Sequence, residues 1–167
     1  PAVGNEYTLS TCQLDFCLPA KFQLKYADKN GEEQTPVVLH RAILGSLDRF
    51  MAYLIEETMG AFPAWLAPVQ VKVLPVTDRA LDYAREIDAK LDNAGYRAEV
   101  DDRNEKIGKK IREATLEKIP FMLVVGDRDM ENGTVSVRTR KGEDLGAMTL
   151  EDFSAKLRQI VDEKQKI

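Results

Sequence analysis

Val69-Gln-Val-Lys-Val-Leu-Pro-Val76 is a β-branched run, and Leu81, Ala84, Ile87 and Leu91 follow it as an apolar face at helical spacing. A strand run feeding an amphipathic helix opens a βα unit. Asn93-Ala94-Gly95 stops that helix, with Gly95 just past the cap, where a left-handed backbone is favoured. Residues 97–100 give a short strand, Ile107, Ile111 and Ala114 mark a basic helix, and Phe121-Met-Leu-Val-Val125 reads as a buried strand. Asn132-Gly133 predicts a two-residue hairpin turn into Thr134–Thr139, and Lys141-Gly142 leads to a last strand near 146–148. Thr149 with Asp152 three residues on resembles a capping box and opens a final helix, with Phe153, Leu157, Ile160 and Val161 inward. The order β-α-β-α-β-β-β-α predicts an α/β sheet with helices covering its faces.

Ahead of this run the chain reads differently. Residues 8–16 (TLSTCQLDF), 21–26 (KFQLKY) and 35–39 (TPVVL) alternate or cluster apolar side chains as strands do, and Ala27-Asp-Lys-Asn-Gly31 is a turn signal between the second and third. A helical pattern begins near Arg41, with Ile43, Leu47, Phe50 and Leu54 on one face. Pro63-Ala-Trp-Leu-Ala-Pro68 breaks it, so residues 1–66 and 67–167 are expected to be separate domains. Neither an internal repeat nor a low-complexity tract occurs.

The chain has 167 residues, 24 Lys and Arg against 28 Asp and Glu, and a net charge of −4. At roughly 100–200 residues per domain, that length holds one ordinary domain, or one and part of another. A content of 44% apolar and 31% charged residues is that of a globular chain and argues against disorder. No stretch approaches the roughly 18 uncharged residues of a spanning helix, so no membrane partner is expected. No signal-peptide pattern opens the sequence, and Cys12 and Cys17 are too few for a disulfide scaffold, so a reducing cytoplasm is the expected location. Mild acidity disfavours global steering toward nucleic acid but leaves room for a local basic patch.

Few residues carry chemistry by spacing alone. His40 is the only histidine; with Cys12 and Cys17 it makes a weak zinc proposal, because two cysteines five apart on a strand point to opposite faces. Gly45 and Arg49, four apart on the expected helix, would let something flat approach the backbone beneath a guanidinium; by spacing alone, close helix packing and a solvated arginine are the better explanation. Residues 102–118 carry Arg103, Lys106, Lys109, Lys110, Arg112 and Lys118, and Arg138, Arg140 and Lys141 add a second basic cluster. Such clusters are either solvated faces or a track for a phosphate backbone.

Pro36-Val-Val-Leu-His-Arg-Ala-Ile-Leu-Gly-Ser-Leu-Asp-Arg-Phe50 resembles motif 3 of the threonyl-tRNA synthetase family of class II ligases. SxCQLDF near Ser10, FPAWLAPVQVKVLPV at Phe62, DDRNEKIGKKIRE at Asp101, VVGDRD and VRTRKG follow the family in order, over essentially the entire chain. The resemblance implies that residues 1–66 are the end of the class II catalytic domain, an antiparallel sheet remnant with the motif 3 helix, and that residues 67–167 are the anticodon-binding domain, a mixed sheet flanked by helices. It implies that Arg49 engages ATP beside Gly45, that Gln13 and Ser46 lie at the threonine or adenylate pocket, and that His40 is the last of three zinc ligands, one Cys and two His. Cys12 and Cys17 do not match the family's zinc cysteine, and Asp48 stands where glutamate is usual. Asn104, Lys106 and Arg112, with Asp129, Arg138 and Arg140, fall where the family reads the anticodon; Asp129 replaces a glutamate.

Motifs 1 and 2 are absent from these residues, so the expectation is a carboxy-terminal fragment of a threonine–tRNA ligase that recognises the anticodon of threonine tRNA. ATP, magnesium, zinc and the homodimer are expected of the full-length parent, with none of the cofactors held by the fragment. The alternative is a free-standing, non-catalytic RNA-binding or regulatory module made from the same domain. A nucleotide- or metal-binding enzyme using only Arg49 and His40 is the third, least supported reading.

Overall fold

The computed structural model describes residue 4 and residues 6–165. Two compact units divide the chain, residues 1–58 and 59–167. The division precedes the one expected at 66/67 because Ala64 and Ala67 are buried, Ala64 within the second unit's core. Gln70 ties that segment down, donating to Ala64 O at 2.9 Å and accepting the Arg97 N–H at 2.9 Å.

In the first unit β1 (Thr11–Asp15) pairs antiparallel with β4 (Val38–Ala42), placing Gln13 opposite His40. The strand expected over 21–26 is not formed: a short helix, α1 (Cys17–Lys21), runs into its start, and of the strand only Tyr26 remains, in β2 (Tyr26–Ala27), which pairs with Glu33–Gln34 (β3). Asp15 causes the change: its Oδ1 accepts the N–H groups of Cys17 at 2.8 Å and Leu18 at 3.0 Å and bends the chain into a helical turn. Cys17 therefore opens a helix and does not share a strand with Cys12. The 27–31 turn is found where expected, with Asp28 Oδ1 accepting from Asn30 and Glu32 and Gly31 at φ +81°.

The helix expected from Arg41 starts six residues later, as α2 (Leu47–Thr58). Ser46 sets the start: its Oγ accepts the Arg49 N–H at 3.4 Å and its carbonyl accepts the Phe50 N–H. Gly45 lies outside the helix in a left-handed bend, φ +71°, where a Cβ would stand 3.0 Å from Leu9 O. Its absence of a side chain serves that bend and not a helical face.

The second unit is a five-stranded sheet of order β6-β5-β7-β8-β9, built from β5 (Val71–Pro75), β6 (Ala98–Val100), β7 (Phe121–Val125), β8 (Thr134–Thr139) and β9 (Asp144–Thr149). The first three are parallel and the last two antiparallel. Crossover helices α3 (Leu81–Asn93) and α4 (Ile107–Leu116) lie on opposite faces: Ile87 and Leu91 of α3 pack with Val71, Val73 and Leu123, whereas Ala114 of α4 packs with Leu74 and Met122. The closing helix α6 (Leu150–Asp162) joins α3 on the first face, its start capped as expected by Thr149, whose Oγ1 accepts the Asp152 N–H at 3.1 Å. Gly95 has the left-handed φ of +86° expected of it.

The two-residue Asn132-Gly133 hairpin is not formed. A short helix, α5 (Asp127–Asn132), joins β7 to β8, and Gly133 ends it at φ +66°. Acidic Asp127 and Asp129 in the first turn complement the helix N-terminus. Among the described residues no helix is long and apolar enough to cross a membrane.

Candidate nucleic-acid interface

The carboxyl ends of β5 and β6 open into a groove lined by Val76, Thr77, Asp78, Asp102, Asn104 and Glu105. The strand order reverses at β5, so the topological switch point, where open α/β sheets form ligand crevices, lies between β5 and β7, next to this groove. Val76, 43% exposed, stands at its edge, and its side chain lies close to Gly126, which begins α5. Thr77 Oγ1 donates to Asp127 at 3.2 Å and Arg79 to the same carboxylate at 3.0 Å, tying the groove wall to α5.

The basic run divides sharply in its roles. Arg103 donates to Asp101 through Nε at 2.8 Å and Nη2 at 2.6 Å and to Glu113 through Nη1 at 2.7 Å. The pairing with Arg103 holds the Asp101 carboxyl below its ordinary range against the opposing cost of burial, and raises Arg103 further. Lys110 is buried and donates to the main-chain oxygens of Asp101 at 2.9 Å and Pro75 at 3.3 Å. Lys109 pairs with Glu105 one turn earlier, and Lys118 donates to Met59 O. Asn104, Lys106 and Arg112 are exposed, with no side-chain hydrogen bond or ion pair among the described residues.

Beside α4 lies the outer face of β8. Val135, Val137 and Thr139 are buried on the other face, leaving Thr134, Ser136 and Arg138 half-buried here. Ser136 stands opposite Val124 and Ala147, and Arg138 opposite Met122 and Asp144. The Arg138–Asp144 pair is long, 3.5 Å, and both side chains meet solvent, so it is easily exchanged. Asp129 faces inward: Oδ2 accepts the Gly126 N–H at 3.1 Å and Oδ1 the Ser136 hydroxyl at 3.0 Å. Arg140 donates to the carbonyls of Phe62 and Lys118, and burial lowers its pKa. Thus Asn104, Lys106, Arg112 and Arg138 offer their polar ends to solvent on one domain, while Asp129 and Arg140 are engaged within it.

The remaining candidates fall in the first unit. His40 Nε2 lies 2.9 Å from Asp15 Oδ2, and Asp15 is held below its ordinary range, first by the Leu18 N–H and then by His40. Gln13 is its cross-strand neighbour and both are exposed. Ser46 caps α2, Arg49 projects from its first turn into solvent, and Gly45 makes the bend before it. Among the described residues no three His, Cys, Asp or Glu side chains are grouped to hold a metal.

Sequence reasoning passed over Val76, Thr77, Asp127, Ser136 and the buried role of Lys110. Only Lys110 left a signal: Ile107, Lys110, Ile111 and Ala114 share one helical face, with Ala114 buried and the two isoleucines packed against the core.

Residues 70–160 match the family model described as anticodon binding domain, and residues 1–58 that of the tRNA synthetase class II core domain (G, H, P, S and T). A threonine–tRNA ligase of Halorhodospira halophila is 57% identical over 151 residues, 90% of this chain and 24% of that protein. One from Listeria monocytogenes is 54% identical over 166 residues, 99% of this chain and 26% of that protein. The chain spans about a quarter of the length of these curated relatives. A crystal structure of the RNA binding domain of threonyl-tRNA synthetase from Cryptosporidium parvum Iowa II superposes with a TM-score of 0.82 at 35% identity, covering 95% of this chain and 40% of that one.

Proposed function

Because the chain belongs to the threonyl-tRNA synthetase family and carries its anticodon-binding domain, we propose that it reads the anticodon bases of threonine tRNA as part of a threonine–tRNA ligase. The observation that carries this reading is the coincidence of the anticodon-binding match, residues 70–160, with the unit on which Asn104, Lys106, Arg112 and Arg138 meet solvent. Loop bases splay out and are read by stacking and by hydrogen bonds to their edges. Asn104 and Arg138 are suited to base edges, the amide as donor and acceptor and the guanidinium as a fork. Lys106 and Arg112 on α4 supply charge for the phosphates. Asp129 and Arg140 serve indirectly, the first holding α5 to β8 and the second anchoring residues 59–66.

On the same reading ATP, magnesium, zinc and the homodimer belong to the full-length cytoplasmic ligase, with Arg49, Gly45, Gln13, Ser46 and His40 as this chain's share of its active site. Amino-acid activation needs ATP and the carboxylate positioned together, and these five residues alone do not assemble that arrangement.

A fluorescence-anisotropy titration tests the reading. The chain is titrated at fixed salt with a threonine tRNA anticodon stem-loop and with one whose second and third anticodon bases are changed. Tighter binding of the native loop supports anticodon reading; equal binding of both loops overturns it.

A further inference from the structure

Asn104 and Lys106 stand on a six-residue connection between β6 and α4 that has no regular structure, yet nearly every other group in it is tied down. The Asp101 N–H donates to Val73 O at 3.0 Å, and Asp101 O accepts from Lys110 at 2.9 Å. The Asp101 side chain, 1% exposed, receives both Nε and Nη2 of Arg103. The third nitrogen of the same guanidinium crosses to Glu113 on α4. The Arg103 carbonyl accepts the Glu105 N–H at 2.8 Å, so Asn104 is bracketed by two bonded neighbours. Arg103 is thus neutralised by two carboxylates, with each nitrogen already donating, and it is poorly placed to hold a phosphate.

We infer that Arg103 is a positioning residue for anticodon reading: the Asp101–Arg103–Glu113 bridge fixes the connection so that Asn104 meets a loop base in one orientation. This rests on the anticodon-reading proposal above. Preorganisation of this kind acts on discrimination, because a displaced amide loses its base partner while charge-driven attraction to the phosphates persists.

The test uses Arg103→Gln in the full chain, titrated with the native and changed stem-loops at several salt concentrations. The ratio of the two affinities is expected to fall about tenfold, as when one good base contact is lost. The slope of log affinity against log salt is expected to stay at the value of the unsubstituted chain. In an Asn104→Ala background the same substitution is expected to change the ratio no further, since Arg103 acts through Asn104. An unchanged ratio in a folded variant, a slope shallower by about 0.7, or a full second loss in the Asn104→Ala background would overturn the inference. Arg103→Gln leaves the buried Asp101 charge unpaired, and if circular dichroism finds that variant unfolded, Glu113→Ala decides. That variant keeps the Asp101 pair and is expected to lower the ratio by a smaller factor; an unchanged ratio overturns the inference. If the unsubstituted chain shows no preference, anticodon reading fails in the first arm and this inference falls with it.

Discussion

The Ser136 hydroxyl donates to Asp129 Oδ1 at 3.0 Å, joining α5 to β8, and the other oxygen of the same carboxylate holds the Gly126 N–H. A carboxylate that receives both bonds is a structural clamp before it is a recognition group. Asp129→Ala is expected to cost about 1–3 kcal/mol of stability, with Ser136→Ala costing less and the pair coupled by roughly 0.5 kcal/mol or more. Urea unfolding followed by Trp65, the only tryptophan and part of the same unit, measures this.

Arg138 and Arg140 are two residues apart and are expected to fail differently. Arg138→Ala should weaken the native anticodon loop by about 1–3 kcal/mol more than a loop with altered bases. Arg140→Ala should leave that difference unchanged and lower stability by about 1–3 kcal/mol, because the carbonyls of Phe62 and Lys118 lose their donor. Paired binding and unfolding measurements on the two variants separate these outcomes; a uniform loss across all loops for Arg138→Ala would make it a phosphate contact instead.

Lys106→Ala and Arg112→Ala should each weaken binding equally for native and altered loops. The salt slope should become shallower by about 0.7 for each phosphate contact removed. Titrations at four salt concentrations give the slope directly.

Asp101 and Asp88 should respond to pH with opposite signs. The Asp101 carboxyl is lowered when folded, chiefly by its bond from Arg103, so it stabilises the fold above its ordinary value and that stability is lost as pH falls through the lowered one. Asp88 is raised by burial and by Asp92 and Glu99, and its Oδ1 has no hydrogen-bond partner among the described residues. It therefore disfavours folding at neutral pH, and the penalty lifts as pH falls through the raised value. Asp101→Asn should lower the melting temperature at pH 7 and Asp88→Asn should raise it by up to a few degrees, with both differences shrinking toward pH 3.

Apart from α5, the order of elements in residues 69–165 was legible because the buried runs Val71–Pro75 and Phe121–Val125 carry apolar side chains at almost every position and end at turn residues. Gly95 and Thr149 were legible because each solves a local problem, a left-handed φ and an N-cap, that few other residues solve. The start of α2 was not, because Ile43 and Leu47 continue an apolar spacing although both lie more than two-thirds exposed. Asn132-Gly133 read as a hairpin because Asn-Gly also ends a short helix, and only the acids at Asp127 and Asp129 distinguish the two. The fate of the basic run was hidden for a different reason. Which of Arg103, Lys106, Lys110 and Arg112 is neutralised, buried or exposed depends on Asp101, Glu113 and the end of β5, and that juxtaposition is made only by the crossover.

On the proposed reading, the groove at Val76 and Asn104, together with the outer face of β8, reads the anticodon. Chemical-shift mapping of the nitrogen-15-labelled chain against the native anticodon stem-loop tests it most directly. The largest shifts are expected at Val76, Asn104, Lys106, Arg112, Ser136 and Arg138, with the α3 and α6 face silent. Shifts concentrated on α3 and α6, or confined to residues 6–58, would contradict it.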